Sequence, residues 1–111
     1  MLKKSQRLSV RDFKPVLHEG KIVHSPLFMM RWVGGKRDTR TAVVAPAKVA
    51  KTAVVRNRIR RRVYEASGPL RARVSDGIHA IIFAKNGAAE APFDAIVANV
   101  RTLFVKAGVL K

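Results

Sequence analysis

The chain has 111 residues, of which 48% are hydrophobic, and a length and composition of this kind predict one compact domain spanning residues 1–111. It contains no cysteine and no apolar run long enough to span a bilayer, which excludes disulfide scaffolds and thiolate sites and predicts a soluble, cytoplasmic protein. Its 23 Lys and Arg against 7 Asp and Glu give a formal net charge of +16, which predicts a polyanionic partner, nucleic acid rather than a membrane.

The first predicted element is a short helix over residues 12–19 that ends at Gly20. Either Ser9 or Asp12 could cap its N-terminus. If Ser9 were the cap, Pro15 would lie beyond the first turn, where its ring clashes with the preceding carbonyls; with Asp12 as the cap it stays within the first turn. The later start is therefore the prediction. The apolar residues at helical spacing are Phe13, Val16 and Leu17.

Strand-type residues dominate the next part of the chain. Residues 27–33 predict a strand that ends at Gly34-Gly35, and this pair predicts a hairpin turn into a second strand over residues 41–45. Residues 21–24 could form a further short strand upstream.

A helix rich in arginine is predicted to follow, capped by Thr52 and closed by Ser67-Gly68-Pro69. At about 100° per residue its apolar side chains fall on one narrow stripe, and the remaining arc is guanidinium apart from Asn57, Tyr64 and Glu65. Arg62 falls beside the stripe, so its head group must turn outward. The helix can therefore pack by one side and present cations on the others. The residues of the stripe are Val55, Ile59, Val63 and Ala66.

The last two predicted elements carry little charge. Residues 78–84 predict a strand buried on both faces, and residues 91–107 predict a packing helix with Pro92 near its start and Gly108 beyond its end. The predicted order is therefore α-β-β-β-α-β-α, an α+β pattern. The apolar stripe of this final helix comprises Phe93, Ile96, Val97, Val100, Leu103, Phe104 and Ala107.

The positive charge is concentrated in the first two thirds of the chain. Residues 1–73 contain 19 basic and 4 acidic residues, and residues 40–64 contain eight basic residues and no carboxylate. Such a run favours an anion-binding surface over a solvated face. Guanidinium groups grip phosphate bidentately and stack on unpaired bases, which favours structured RNA. DNA is the disfavoured partner, because neither a helix-turn-helix nor a heptad-bearing dimerisation helix is visible.

The segment from Lys48 to Arg61, KVAKTAVVRNRIRR, resembles the signature of the bacterial ribonuclease P protein family, whose hallmark is an Arg-Asn-Arg triplet on a basic helix. The chain departs from the family pattern at Arg62, where an apolar residue is usual, and at Tyr64, where a further arginine is common. The resemblance covers nearly the whole chain. Its other matches are Arg7-Leu8, Asp12-Phe13, Glu19-Gly20-Lys21, Asp76, Ile81-Ile82-Phe83-Ala84-Lys85 and Gly87-Ala88.

The resemblance implies a sandwich of the ribosomal protein S5 domain 2 type with a left-handed βαβ crossover, which ordinary handedness rules would not predict. It also implies the protein subunit of an endoribonuclease, a hydrolase that removes the 5′ leader from precursor tRNA. In that family the catalytic RNA performs the hydrolysis with bound Mg²⁺. The protein, one per RNA, binds the RNA and holds the leader in a cleft between the sheet and the first helix.

Carried over residue by residue, the resemblance implies two sets of binding residues. The leader cleft would include Lys85 and Phe13. The Phe13 ring could stack on an unpaired nucleotide. From the residues alone, burial of Phe13 in the core is an equally good interpretation. The residues implied to bind the catalytic RNA are Lys48, Lys51, Arg56, Asn57, Arg58, Arg60 and Arg61.

A nuclease site built by the protein itself is not expected. The three histidines and seven carboxylates include no close carboxylate pair and no His-x-x-x-His spacing, so we expect neither a catalytic nor a metal site in this chain. A ribosomal-type RNA-binding protein or RNA chaperone without a processing role is the alternative. Composition does not separate the two interpretations, and the context of the Arg-Asn-Arg triplet favours the first.

Overall fold

The structure is a computed structural model that describes residues 7–75 and 77–110; Asp76, one of the matches in the resemblance, lies outside them. The order of the elements confirms the predicted α+β arrangement. They are α1 (Val10–Glu19), β1 (Lys21–His24), β2 (Phe28–Val33), β3 (Arg40–Val44), α2 (Ala53–Arg71), β4 (His79–Ala84) and α3 (Phe93–Ala107).

The four strands form one mixed sheet in the order β1-β2-β4-β3. β4 pairs antiparallel with β2 and parallel with β3, so the hairpin predicted at Gly34-Gly35 is wrong. β4 occupies the centre because it is apolar on both faces: Ile81 and Ile82, which point to opposite sides, are both 0% exposed. β3, α2 and β4 form the βαβ unit of the fold, and its left-handed crossover stays a prediction.

The two faces of the sheet are covered differently. α2 and α3 pack on one face, where the continuous core includes Met30 and Ile82. α1 alone packs on the other face against β2 and β4, and there Val16 and Ile81 are fully buried. None of the described helices is long and apolar enough to cross a membrane.

α1 begins earlier than predicted. Ser9 is its N-cap: the Ser9 hydroxyl accepts a hydrogen bond from the Asp12 backbone N–H at 3.3 Å and donates one to the Asp12 carboxylate at 3.0 Å. Pro15 consequently lies inside the helix, and the cap together with the burial of Val16 offsets the hydrogen bond that the proline lacks. The helix ends at Gly20 as predicted, where a Cβ atom would lie 2.3 Å from the Val16 carbonyl oxygen.

α2 begins at its predicted cap and ends later than predicted. The Thr52 hydroxyl accepts from the Val55 N–H at 3.2 Å, but the helix continues through Pro69 to Arg71, because Leu70 packs into the core. Its buried arc is also wider than one stripe. Tyr64, assigned to the polar arc, is only 8% exposed, since α2 packs against both α3 and β3.

α3 ends as predicted but begins two residues later, at Phe93, with Pro92 as N-cap and Gly108 in the left-handed region at φ 72° as C-cap. Its apolar stripe is only partly covered. Phe93 and Val97, both predicted to pack, are 40% and 37% exposed. Ile96, on the side of the helix that faces the core, is fully buried.

Candidate nucleic-acid interface

The loop before α2 brings the two predicted lysines to the surface. The N–H groups of Val49 and Ala50 both donate to the Pro46 carbonyl, at 2.9 and 3.0 Å, which folds the segment into a compact turn. Lys48 and Lys51 are exposed on this turn. Two cations therefore lie directly in front of the N-terminus of α2, whose unpaired N–H groups themselves favour anions.

The arginines of the Arg-Asn-Arg segment divide into two groups. Arg56 is half-buried and donates to the carbonyls of Ala50 and Lys51 at 2.9 and 3.1 Å, so its guanidinium braces the loop that carries the lysines. Arg60 is also half-buried and donates to the side-chain oxygen of Asn57.

On α2 itself, the exposed members of the predicted set are Asn57, Arg58 and Arg61. Arg58 reaches toward the segment before α3, where its Nη2 donates to the Ala89 carbonyl at 3.4 Å. We call the exposed residues Asn57, Arg58 and Arg61 the arginine arc. It is the part of α2 that can meet a polyanion without any rearrangement of the helix.

The hydrogen-bonded arginines of α2 are held by carbonyl oxygens rather than by carboxylates. Within residues 7–75 and 77–110 the ion pairs both involve Asp38, which lies 2.6 Å from Arg40 Nε and 3.0 Å from His79 Nε2. A carbonyl positions a guanidinium without cancelling its charge. The cationic surface of α2 therefore keeps its charge in the folded chain, which favours association with an anion over internal neutralisation.

On the α1 face of the sheet, Phe13 is half-buried. It lines a hollow between α1 and β3 together with Leu17 and Ala42, and it lies outside the continuous core on the other face. Its ring therefore contributes to a concave apolar surface that remains open to solvent. Its role in binding a leader nucleotide stays a prediction.

Lys85 lies in a groove on the same face and donates from Nζ to the Ser25 carbonyl at 3.0 Å. The walls of this groove include Met29 and Phe83, which sit opposite one another on β2 and β4. Lys48 lines it as well, so one cation from each of the two predicted sets faces a single groove. We call it the lysine groove.

Met29 and Phe83 were not among the predicted site residues. The sequence carries a signal for them, because side chains alternate along a strand and the neighbours Met30 and Ile82 belong to the core. Placing them beside Lys48 and Lys85, however, requires the pairing of β2 with β4, which the sequence did not predict.

Two further residues extend the picture around α2. Arg62 is half-buried beside the apolar stripe, and its Nη1 donates to the Ala91 carbonyl at 3.0 Å. Burial raises the pKa of the Tyr64 hydroxyl above its ordinary value of 10.0. Neither residue belongs to the arginine arc: Tyr64 is buried, and the Arg62 head group is held against the segment before α3 instead of turning outward as predicted.

Asp38 anchors a hydrogen-bonded cluster at the end of the sheet. Hydrogen bonds from His79 and Arg40 lower the pKa of the Asp38 carboxyl from 3.8 to about 2. Because an ionised carboxylate only accepts hydrogen bonds, His79 Nε2 is the donor of their shared contact. Among the residues that the structure describes, no three His, Asp or Glu side chains come together as a metal-binding group.

Comparison with known proteins gives one consistent family. Residues 2–108 match the family model described as Ribonuclease P. The chain is 34% identical to the ribonuclease P protein component of Symbiobacterium thermophilum over 99% of this chain and 97% of that protein. It is 35% identical to that of Synechococcus elongatus, over 78% of this chain and 75% of that protein.

Solved structures share the fold at lower sequence identity. The RNase P protein of Staphylococcus aureus superposes with a TM-score of 0.85 at 20% identity, over 97% of this chain and 100% of that one. The RNase P protein of Thermotoga maritima gives a TM-score of 0.79 at 22% identity, over 90% and 96%. These similarities support the fold described above.

Proposed function

The chain belongs to the bacterial ribonuclease P protein family, and we propose on that basis that it binds the catalytic RNA of ribonuclease P and the 5′ leader of precursor tRNA. In this proposal the protein assists removal of the leader in the cytoplasm, one protein acts with one RNA, and the RNA carries out the hydrolysis.

The observation that carries the proposal is the state of the arginines on α2. Backbone carbonyls position Arg56, Arg58 and Arg62, and the Asn57 side chain positions Arg60. No arginine of α2 pairs with a described carboxylate. A surface of unneutralised guanidinium groups, several of them held in place by hydrogen bonds, is suited to bidentate contacts with phosphate. We assign the arginine arc, with Lys51 in front of it, to the catalytic RNA.

The α1 face supports the assignment of the leader. The half-buried ring of Phe13 and the apolar walls of the lysine groove offer surfaces for unpaired bases, while Lys48 and Lys85 offer charge for the backbone between them. This combination of aromatic surface and cations is typical of binding sites for single strands. A leader, which is unpaired, fits it better than a duplex does.

We also propose that the Mg²⁺ ions, which supply activated water for the hydrolysis, are bound mainly by the RNA. In support, three of the six described carboxylates, those of Asp12, Asp38 and Asp94, accept hydrogen bonds from this chain's own groups. Asp12 accepts from the Ser9 cap of α1, Asp94 accepts within the first turn of α3, and Asp38 ties the end of the sheet.

The test is reconstitution of the chain with a bacterial ribonuclease P RNA at low Mg²⁺, with precursor tRNA cleavage as the measurement. We expect the protein to stimulate cleavage and to cleave nothing alone. A double variant, Arg58→Ala with Arg61→Ala, should lose most of the stimulation. The matched control, Arg37→Ala with Arg73→Ala, removes the same charge from exposed positions outside α2 and should keep it.

Three outcomes would contradict the proposal. Absence of stimulation by the wild-type chain, despite RNA binding, would favour the alternative of an RNA chaperone. Equal loss in the two double variants would mean that net charge matters and the arginine arc does not. Cleavage by the protein alone would contradict the assignment of the hydrolysis to the RNA.

A further inference from the structure

Phe93 and Val97 form an uncovered apolar pair at the start of α3. They lie one turn apart on the same side of the helix, and 40% and 37% of their surfaces are exposed. Ile96 and Val100, farther round the helix, are fully buried in the core. The apolar stripe of α3 is thus wider than the surface that the described fold covers, and its uncovered part begins with an aromatic ring.

Two arginines of α2 are held by the segment before α3, and one of them lies over the Phe93 ring. The guanidinium carbon of Arg62 lies 6.0 Å from the centroid of the Phe93 ring, and its Nη1 is held by the Ala91 carbonyl at 3.0 Å. Arg58 is held two residues earlier in this segment, by the Ala89 carbonyl at 3.4 Å. The carbonyls fix Arg62 beside the exposed ring and Arg58 at the segment that precedes it, and they leave both charges uncompensated. An aromatic face next to a guanidinium is a surface on which a nucleobase stacks.

The acidic side chains near the ring restrict what it can bind. Glu90 and Asp94 are exposed on either side of Phe93 in the sequence, and Asp94 accepts from the Ala95 N–H at 3.0 Å in the first turn of α3. A phosphate placed on the ring would meet these carboxylates, whereas the uncharged face of a base would not. The phosphates of the same strand are better placed toward Arg58 and Arg62.

We propose that Phe93, Val97, Arg58 and Arg62 form a platform that stacks an unpaired base of the catalytic RNA. The proposal rests on the RNA-binding function proposed above and adds a contact to it. The occupant follows from continuity and charge: Arg58 belongs both to the platform and to the arginine arc, so an RNA that covers the arc reaches the ring. Phe13 and the lysine groove lie on the opposite face of the sheet, which separates the platform from the leader.

The experiment measures the dissociation constant of the full-length chain for two RNAs separately, the catalytic RNA and a precursor tRNA. Phe93→Ala should weaken binding to the catalytic RNA by roughly 5- to 150-fold, the range for one stacked base. Phe93→Leu, which keeps an apolar side chain, should weaken binding to the catalytic RNA in the same range. Phe93→Tyr, which keeps an aromatic ring, should bind with wild-type affinity. Val105→Ala, at a 56% exposed position farther along the same helix, is the control and should stay within about 2-fold.

Circular dichroism and the unfolding midpoint of each variant show whether it is folded. If the alanine variant is not folded, the leucine variant decides the question.

Wild-type affinity in Phe93→Leu would overturn the platform, because only packing would then depend on the ring. A loss confined to precursor tRNA would overturn the choice of occupant. If the wild-type chain binds no catalytic RNA, the proposed function itself fails, and this outcome is distinguished by the wild-type measurement alone.

Discussion

The two faces of the sheet differ in how completely helices cover them. On the face covered by α2 and α3, Met30 is fully buried in the continuous core. On the other face its neighbour Met29 is only half-buried, because α1 has ten residues and spans about 15 Å. One face therefore supplies most of the stability, and the other leaves Met29 and Phe83 accessible beside two lysines. The division explains how a chain this small can both fold and keep a concave surface for a ligand.

The largest effect expected from this division is on folding. Met30→Ala should lower the free energy of unfolding by about 2–5 kcal/mol, because it opens a cavity in the core. Met29→Ala, one residue away on the same strand, should change it by less than about 1 kcal/mol. Denaturant titration of both variants measures the difference. Similar losses in the two would show that the α1 face also carries the fold.

A smaller effect is expected for the ligand on the α1 face. In the reconstituted particle, Phe13→Ala should weaken binding of leader-bearing precursor tRNA by about 1–3 kcal/mol and leave leaderless tRNA unaffected, because one stacked base is lost. His18→Ala, at an exposed position of the same helix outside the hollow, is the matched control. Equal losses for both RNAs would instead favour a packing role for Phe13.

The exposed side of α2 is predicted to contribute to the affinity for the catalytic RNA through its charge. Arg61→Ala should reduce the slope of log K against log salt by about 0.7–0.9 for the catalytic RNA, the value for one phosphate contact, with no change in stability. Arg73→Ala removes an exposed arginine that lies beyond the C-terminal end of α2, and it should leave the slope unchanged. Titrations at several salt concentrations decide this, and an unchanged slope in Arg61→Ala would mean that this side chain reaches no phosphate.

The smallest effect concerns acid stability at the end of the sheet. Because the pKa of Asp38 falls from 3.8 to about 2 on folding, its contribution to stability is present above pH 4 and is lost as the pH falls toward 2. Asp38→Asn should therefore destabilise the chain at pH 5 and approach the wild type at pH 2. Denaturant midpoints across this range measure the convergence. A difference that stays constant with pH would show that the carboxylate charge is not involved.

Local patterns predicted the elements better than their partners. The arginine helix was predictable because its cap at Thr52 and the spacing of Ile59 and Val63 are properties of neighbouring residues. The hairpin predicted at Gly34-Gly35 is wrong because a glycine pair specifies a turn but does not specify which strand pairs with β2. The burial predicted for residues 78–84 requires cover on both faces of the sheet, and it does not identify the strands that lie beside this one.

The helix boundaries predicted from prolines are also wrong, because they depend on tertiary packing that the local sequence does not specify. Pro15 and Pro69 each favour a helix boundary locally, and in both cases the helix continues because an apolar neighbour, Val16 or Leu70, is buried by the tertiary fold. At the site, the sequence placed Lys48 and Lys85 in separate sets. Their shared groove follows only from the position of β4, where strands far apart in the chain become adjacent.

The central position of β4 also determines when the sheet can be completed during synthesis. β1 and β2 can pair once Val33 has been added, but β3 finds its neighbour only when β4 appears, about 35 residues after Val44. At about 5–20 residues per second this interval lasts roughly 2–7 s. All six arginines of α2 are added within it, so the nascent chain acquires its capacity to attract RNA before it acquires the fold that positions those side chains.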